Sequence, residues 1–92
     1  MITIELPRAL QPHAQGSPVL VLDQPCATVR DALTELALQW PGVRDRVLDE
    51  RGELRPHVNV FVDQDSIRYR GGLGAPVREG GTITIVPAVS GG

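Results

Sequence analysis

One stretch of helical periodicity stands among segments that alternate like β-strands, and it limits the fold more than any other feature. Its apolar side chains recur at the spacing of one helix face, at Val29, Leu33, Leu36, Ala37 and Trp40. Thr28 can cap the first turn by accepting a hydrogen bond from the amide of Asp31, and Pro41-Gly42 is expected to end the helix. A lone amphipathic helix must bury its apolar face against another element, which here has to be a β-sheet.

Period-two alternation and short apolar runs predict the strands of that sheet. The predicted strands are residues 2–6, 19–22, 58–62, 67–70 and 82–86. Prolines at 7, 12 and 18 make the segment between the first two strands irregular, and residues 63–66 are typical of a turn. A short helical turn is predicted within residues 43–49, and residues 50–56 are predicted to be a loop.

This order of elements predicts an α+β domain with one main helix on one face of a mixed sheet of about five strands. The arrangement that places the first and last strands side by side and parallel in the middle is the β-grasp, the fold of ubiquitin. A ferredoxin-like plait has similar counts but needs a second full helix, which the sequence pattern does not provide. We expect one domain over residues 1–87, followed by a flexible tail over residues 88–92.

The amino-acid composition argues against several classes of function. A net charge of −2 offers no basic field for a nucleic-acid backbone, so we expect no nucleic-acid partner. No apolar run approaches the length of a membrane span, and no targeting segment is evident. The single cysteine, Cys26, cannot form an internal disulfide, which favours a reducing compartment; we expect a cytoplasmic protein that is a monomer when alone. All nine basic residues are arginine, so a lysine-dependent phosphate-binding loop is impossible.

The sequence closes on two glycines, Gly91 and Gly92, directly after the last predicted strand and Pro87. Residues without a Cβ can pass through a channel too narrow for other side chains. Two internal pairs, Gly71-Gly72 and Gly80-Gly81, are instead interpreted as turns that need positive φ, because the chain continues beyond them. A terminal pair in this position predicts a carboxylate that is presented to another protein; the plainer alternative is a frayed end.

The tail and the order of elements together resemble the ubiquitin-like sulfur-carrier proteins, the group of ThiS, MoaD and CysO, and within it the chain looks most like CysO. The resemblance covers nearly the whole chain. It is carried by Ile4-Glu5-Leu6-Pro7, Val58-Asn59-Val60-Phe61-Val62-Asp63, Ile67-Arg68-Tyr69, Gly71-Gly72-Leu73 and Thr82-Ile83-Thr84-Ile85-Val86-Pro87-Ala88-Val89-Ser90-Gly91-Gly92. Ser90 departs from the alanine that is more frequent in the family.

The resemblance implies a chemistry at Gly92. Its carboxylate would be adenylated with ATP by a separate ubiquitin-activating-type enzyme and converted to a thiocarboxylate, with Ala88, Val89, Ser90 and Gly91 bound by partner enzymes. The chain itself would bind no cofactor and no metal and would not be an enzyme. The sulfur would pass to a cysteine-synthase-like enzyme or to another sulfur-accepting enzyme. Alternatives are a molybdopterin synthase small subunit, a carrier shared between sulfur pathways, a ubiquitin-like protein modifier, and a plain interaction domain.

Phe61 and Val86 are further candidates for partner binding. If Val58, Val60 and Ile85 point towards the helix, Phe61 and Val86 point to the opposite face of the sheet, which docks on partners in the family. An exposed aromatic side chain beside β-branched residues is typical of a docking patch, although a lone exposed phenylalanine needs no function.

The remaining polar candidates have structural interpretations. Cys26 is predicted to be a small buried apolar side chain rather than a reactive thiol. His13 and His57 lie far apart in the sequence without a further ligand at metal-like spacing, which argues against a zinc site. Asp63 and Asp65 are explained by a turn.

Overall fold

The computed structural model describes residues 1–87, in which five strands and two α-helices alternate with short 3₁₀ segments. The strands are β1 (Ile2–Glu5), β2 (Val19–Leu22), β3 (Val58–Val62), β4 (Asp65–Ser66) and β5 (Thr82–Pro87), and the helices are α1 (Val29–Gln39) and α2 (Pro41–Val47). The 3₁₀ segments are Arg8–Ala14, Ile67–Tyr69 and Gly72–Gly74. No helix within residues 1–87 is long and apolar enough to cross a membrane.

The five strands form one mixed sheet in the order β2-β1-β5-β3-β4. Strand β5 lies in the centre, parallel to β1 on one side and antiparallel to β3 on the other. The first and last strands are therefore neighbours, and α1 packs on one face of the sheet. This confirms the α+β class and the predicted β-grasp arrangement.

Alternation along the strands decides which side chains face α1. The inward side chains are Ile2 and Ile4 of β1, Leu20 and Leu22 of β2, Val58 and Val60 of β3, and Ile83 and Ile85 of β5, and all are buried. The sequence left the face of β2 undecided because all four of its residues are apolar. Its pairing with β1 places Leu20 opposite Ile4 and Leu22 opposite Ile2, which turns Val19 and Val21 outward.

Helix α1 begins as predicted, but its buried face is narrower and shifted from the predicted stripe. The Thr28 hydroxyl accepts a hydrogen bond from the Asp31 amide at 3.2 Å. Ala32 is fully buried, whereas Ala37 and Trp40 are only partly buried at the edge of the core. Pro41 does not simply end the helical region, because it occupies the first turn of α2, where a missing amide proton costs nothing.

Two local predictions were wrong. The predicted strand over residues 67–70 is a 3₁₀ segment, and the short return strand is Asp65–Ser66, two residues earlier. Asp63 adopts φ +54°, so the chain reverses over residues 63–64 and pairing resumes at once. The Ser66 hydroxyl then accepts from the Arg68 amide at 3.3 Å and starts the 3₁₀ segment. Residues 8–14 are helical rather than irregular.

Candidate functional site

The five tail residues proposed to carry the chemistry, Ala88, Val89, Ser90, Gly91 and Gly92, lie outside the described residues. What the structure does describe is the point from which the tail continues. Pro87 is the last residue of β5 and is exposed, and its partner across the ladder is Val58. Strand β5 is paired with β1 over residues 82–84 and with β3 as far as Pro87, so Pro87 is held by the pairing with β3.

The outer face of the sheet carries the two other predicted partner-binding side chains. Phe61 lies opposite Thr84, and Val86 lies opposite Asn59, so Phe61 and Val86 are diagonal neighbours on adjacent strands. Both are half-buried. Their shared position on the face opposite α1 is confirmed, while their role in docking stays a prediction.

Polar side chains surround these two residues. The Thr84 hydroxyl donates to a carboxylate oxygen of Glu5 at 3.0 Å, and Arg68 donates to the amide oxygen of Asn59 at 3.3 Å. The outer face therefore combines a small apolar centre with hydrogen-bonded polar groups at its sides.

A groove of about 440 Å³ opens at the end of β5, on the helix side of the sheet. Its apolar wall includes Leu10, Ile85 and Pro87, and its polar wall is formed by His13, Asp45, Arg46, Arg55 and His57. The groove was not predicted from the sequence because it joins four segments that are distant along the chain. The only hint was the unexplained presence of both histidines in segments flanking the strands.

Close contacts define the polar wall. A Cβ at Gly42 would lie 3.2 Å from Nδ1 of His13, so the glycine lets the 3₁₀ segment 8–14 approach α2. The Nε of Arg55 donates to the carbonyl oxygen of Asp45 at 2.9 Å, which ties the loop before β3 to α2. The Asp45 carboxylate lies 3.4 Å from a guanidinium nitrogen of Arg44.

Cys26 is not placed for reaction. It is buried, and its Sγ lies 3.6 Å from the carbonyl oxygen of Gln24. Burial raises the pKa of the Cys26 thiol, and the negative charges of Glu35 and Asp31 raise it further. A thiol of raised pKa is a poor nucleophile at neutral pH. The burial of Cys26 confirms the prediction of a small buried apolar side chain.

The acidic side chains of Asp63, in the turn, and of Asp65, in β4, also have structural roles. One carboxylate oxygen of Asp63 accepts from the Thr82 amide at 3.0 Å, and the other faces Arg78 at 3.3 Å. Asp65 forms an ion pair with Arg70. Among residues 1–87, no three His, Cys, Asp or Glu side chains are grouped in a way that would hold a metal ion.

Comparison with known proteins connects this geometry to a family. The model of the ThiS family matches residues 4–92, which includes the glycine pair. The sulfur carrier protein CysO of Mycobacterium tuberculosis is 30% identical over 99% of this chain and 98% of its own length. Small archaeal modifier protein 1 of Haloferax volcanii is 36% identical over 72% of this chain and 71% of its own length.

Solved structures agree with the sequence comparison. The crystal structure of Mycobacterium tuberculosis CysO superposes with a TM-score of 0.88 at 28% identity, covering 97% of this chain and 100% of that one. A chain of the Amycolatopsis orientalis BexX/CysO complex superposes with a TM-score of 0.87 at 33% identity, with both chains covered completely. A family match over nearly the whole sequence and a shared fold lead to one conclusion: the chain belongs to the ThiS family of ubiquitin-like proteins.

Proposed function

We propose that this chain is a sulfur carrier that is active as a thiocarboxylate at Gly92. The observation that carries the proposal is the family match, which runs from the first strand through Gly91 and Gly92, together with full-length similarity to CysO. The position of Pro87 at the end of the central strand supports it, since the glycine pair then follows a rigid base.

The chemistry begins with activation of a poor electrophile. A carboxylate is an anion at neutral pH, with a reference pKa of about 3.3–3.7 for a chain terminus. One oxygen of the Gly92 carboxylate attacks the α-phosphorus of ATP, and pyrophosphate leaves. The acyl adenylate is then attacked at its carbonyl carbon by hydrosulfide or an equivalent sulfide-level donor, and AMP departs with the bridging oxygen. Loss of the sulfur-bound proton leaves Gly92 as the thiocarboxylate with no change of oxidation state.

The ATP site belongs, in this proposal, to a separate ubiquitin-activating-type enzyme. The chain itself contributes a tail that can extend into that site and a folded surface that the enzyme can bind. Five residues beyond Pro87 extend at most about 17 Å, which allows the carboxylate to enter a buried site while the folded domain stays outside. The outer sheet face around Phe61 and Val86 would bind the same enzyme.

For the sulfur acceptor, we propose a cysteine-synthase-like enzyme, because CysO of Mycobacterium tuberculosis is similar to this chain over nearly its full length. A molybdopterin synthase or a carrier role shared between pathways would use the same thiocarboxylate. A second function has its own support: similarity to small archaeal modifier protein 1, with a TM-score of 0.80 to the Haloferax volcanii structure at 33% identity, favours attachment of Gly92 to other proteins.

Intact mass spectrometry tests the proposal. We expect the chain, incubated with ATP, its activating enzyme and a sulfur donor, to exchange one oxygen for sulfur. A chain without Gly92 should stay unchanged, and a chain with Leu38→Ala, on the far side of the domain, should react normally. An unchanged mass in the wild-type chain would contradict the carrier function. Adducts on lysine residues of other proteins would instead support the modifier.

A further inference from the structure

We propose that the groove beside Pro87 binds an acidic, partly apolar segment of the enzyme that processes the C terminus. The groove is defined by the polar residues His13, Asp45, Arg46, Arg55 and His57 and by an apolar wall that includes Leu10 and Pro87. The identity of that enzyme rests on the proposed function. The binding chemistry rests on the groove alone.

The charged side chains that line the groove are mainly positive. Two guanidinium groups, of Arg46 and Arg55, line the groove against one carboxylate, of Asp45. That carboxylate already faces Arg44, so it does little to neutralise the groove. Within the described part of the chain, neither Arg46 nor Arg55 forms an ion pair. A positive groove on a chain of net charge −2 is a local feature that complements carboxylates.

The groove is also preorganised. Arg55 is anchored through its Nε to the carbonyl oxygen of Asp45 at 2.9 Å, and its own amide donates to the carbonyl of Val47 at 3.0 Å. His13 is held against Gly42. Because the Arg55 side chain is anchored before binding, less conformational entropy would be lost when a partner forms contacts with it.

The position of the groove beside Pro87 distinguishes a segment of the partner enzyme from the chain's own tail as its occupant. Pro87 is part of the wall, so an enzyme that draws in the following residues must approach the groove. Residues 88–92 contain no acidic side chain, and under the proposed function the Gly92 carboxylate lies in the enzyme's active site during the reaction. It therefore cannot neutralise two arginines in the complex. A segment of the partner with several carboxylates beside apolar side chains matches both walls.

The test uses the whole chain and a defined probe. We would titrate ¹⁵N-labelled chain with the peptide acetyl-Glu-Leu-Asp-Glu-Leu-Asp-amide and follow amide shifts. The expected shifts are confined to the groove and weaken as salt is raised. The peptide acetyl-Gln-Leu-Asn-Gln-Leu-Asn-amide, which has the same shape without charge, should cause none.

Paired variants test the arginines. The double change Arg46→Glu and Arg55→Glu should lower the peptide affinity by about tenfold or more, as expected for reversed charges in an interface. Arg68→Glu with Arg70→Glu makes the same change in net charge beside β4 and should alter the affinity by less than about twofold. If the charge-reversed groove variant does not fold, Arg46→Gln with Arg55→Gln replaces it, with the same direction expected.

Four outcomes would overturn the proposal. Equal losses in both double variants would show unspecific attraction. Equal shifts with inorganic phosphate would show a site for free anions. Groove shifts on deletion of residues 88–92, without peptide, would assign the groove to the tail, and shifts that depend on protein concentration would assign it to a second copy. None of these measurements requires a thiocarboxylate at Gly92. Failure of the groove proposal can therefore be distinguished from failure of the proposed function, which intact mass spectrometry tests.

Discussion

Pro87, the last residue of β5, lies directly opposite Val58, the first residue of β3. Proline has no amide proton, so β5 cannot donate a ladder hydrogen bond at this position. His57 and Arg55, which precede Val58, line the groove beside this pair. The strand that leads to the tail, the start of its neighbour and the charged groove therefore meet at one end of the sheet.

The inward side chains of β5 should determine the stability of the domain. Ile85 is 2% exposed and is part of the core, so Ile85→Ala should lower the free energy of unfolding by about 2–5 kcal/mol. Thr84→Ala, on the outer face of the same strand, removes a hydrogen bond to Glu5 and should cost about 1 kcal/mol or less. Urea unfolding measures both, and equal losses would contradict the assignment of the two faces.

The cap of α1 offers a second test of stability. Thr28→Ala removes the hydroxyl that accepts from the Asp31 amide and should cost about 1 kcal/mol. Thr34→Ala is the matched control, because Thr34 lies inside the helix and its hydroxyl donates back to the carbonyl of Arg30. Alanine is the better helix former there, so this change should be neutral or slightly stabilising by thermal unfolding.

The fold class could be predicted from the sequence because strand alternation and helical periodicity are both local patterns, and the two agree with each other. Alternation in β1 and β5 identified the buried isoleucines, and Thr28 marked the start of α1. The errors lie in segments where the backbone conformation depends on single residues and is not marked by hydrophobic periodicity. A non-glycine residue at positive φ, Asp63, moved the return strand forward, and nothing in the sequence distinguishes that conformation from an ordinary aspartate turn.

The candidate site was predictable only in part, for a different reason. The face of Phe61 and Val86 follows from strand alternation, which is a local property. The groove needs His13, Arg46 and His57 to meet, and they come from a 3₁₀ segment, the end of α2 and a loop. The approach of His13 to α2 depends on tertiary packing at Gly42, which hydrophobic periodicity does not predict.

The turn before β5 should be sensitive to a single methyl group. A Cβ at Gly81 would lie 3.0 Å from the carbonyl oxygen of Arg78, and the Gly81 carbonyl accepts from the Thr3 amide at 3.1 Å. Gly81→Ala must therefore shift the backbone that joins β5 to β1, at a cost of about 1–3 kcal/mol. Gly74→Ala meets no atom within 4 Å and has no positive φ, so its unfolding midpoint should stay near that of the wild type.

Asp49 should make stability depend on pH in the acidic range. The backbone amide of Glu53 is the main cause that lowers the pKa of Asp49, and the Arg51 amide and the charges of Arg51 and Arg55 act in the same direction. A lowered folded-state pKa means that this stabilisation is present above the unfolded-state pKa, about 3.9 for aspartate, and is lost as pH falls through the folded-state value. The difference in stability between wild type and Asp49→Asn should therefore shrink on acidification. A difference that is constant with pH would contradict this.

The outer face of the sheet should affect partner recognition without affecting the chemistry at Gly92. Phe61→Asp places a charge beside Val86 on the face proposed to dock on the activating enzyme, and should raise the KM for the carrier by about tenfold while leaving kcat nearly unchanged. Leu38→Asp is the matched control, since Leu38 is 76% exposed on α1, on the opposite side of the sheet. Initial rates of ATP-dependent adenylation, measured against carrier concentration, separate the two constants. A loss confined to kcat, or an equal effect from Leu38→Asp, would remove the outer face from the proposed interface and leave recognition to the tail and the groove.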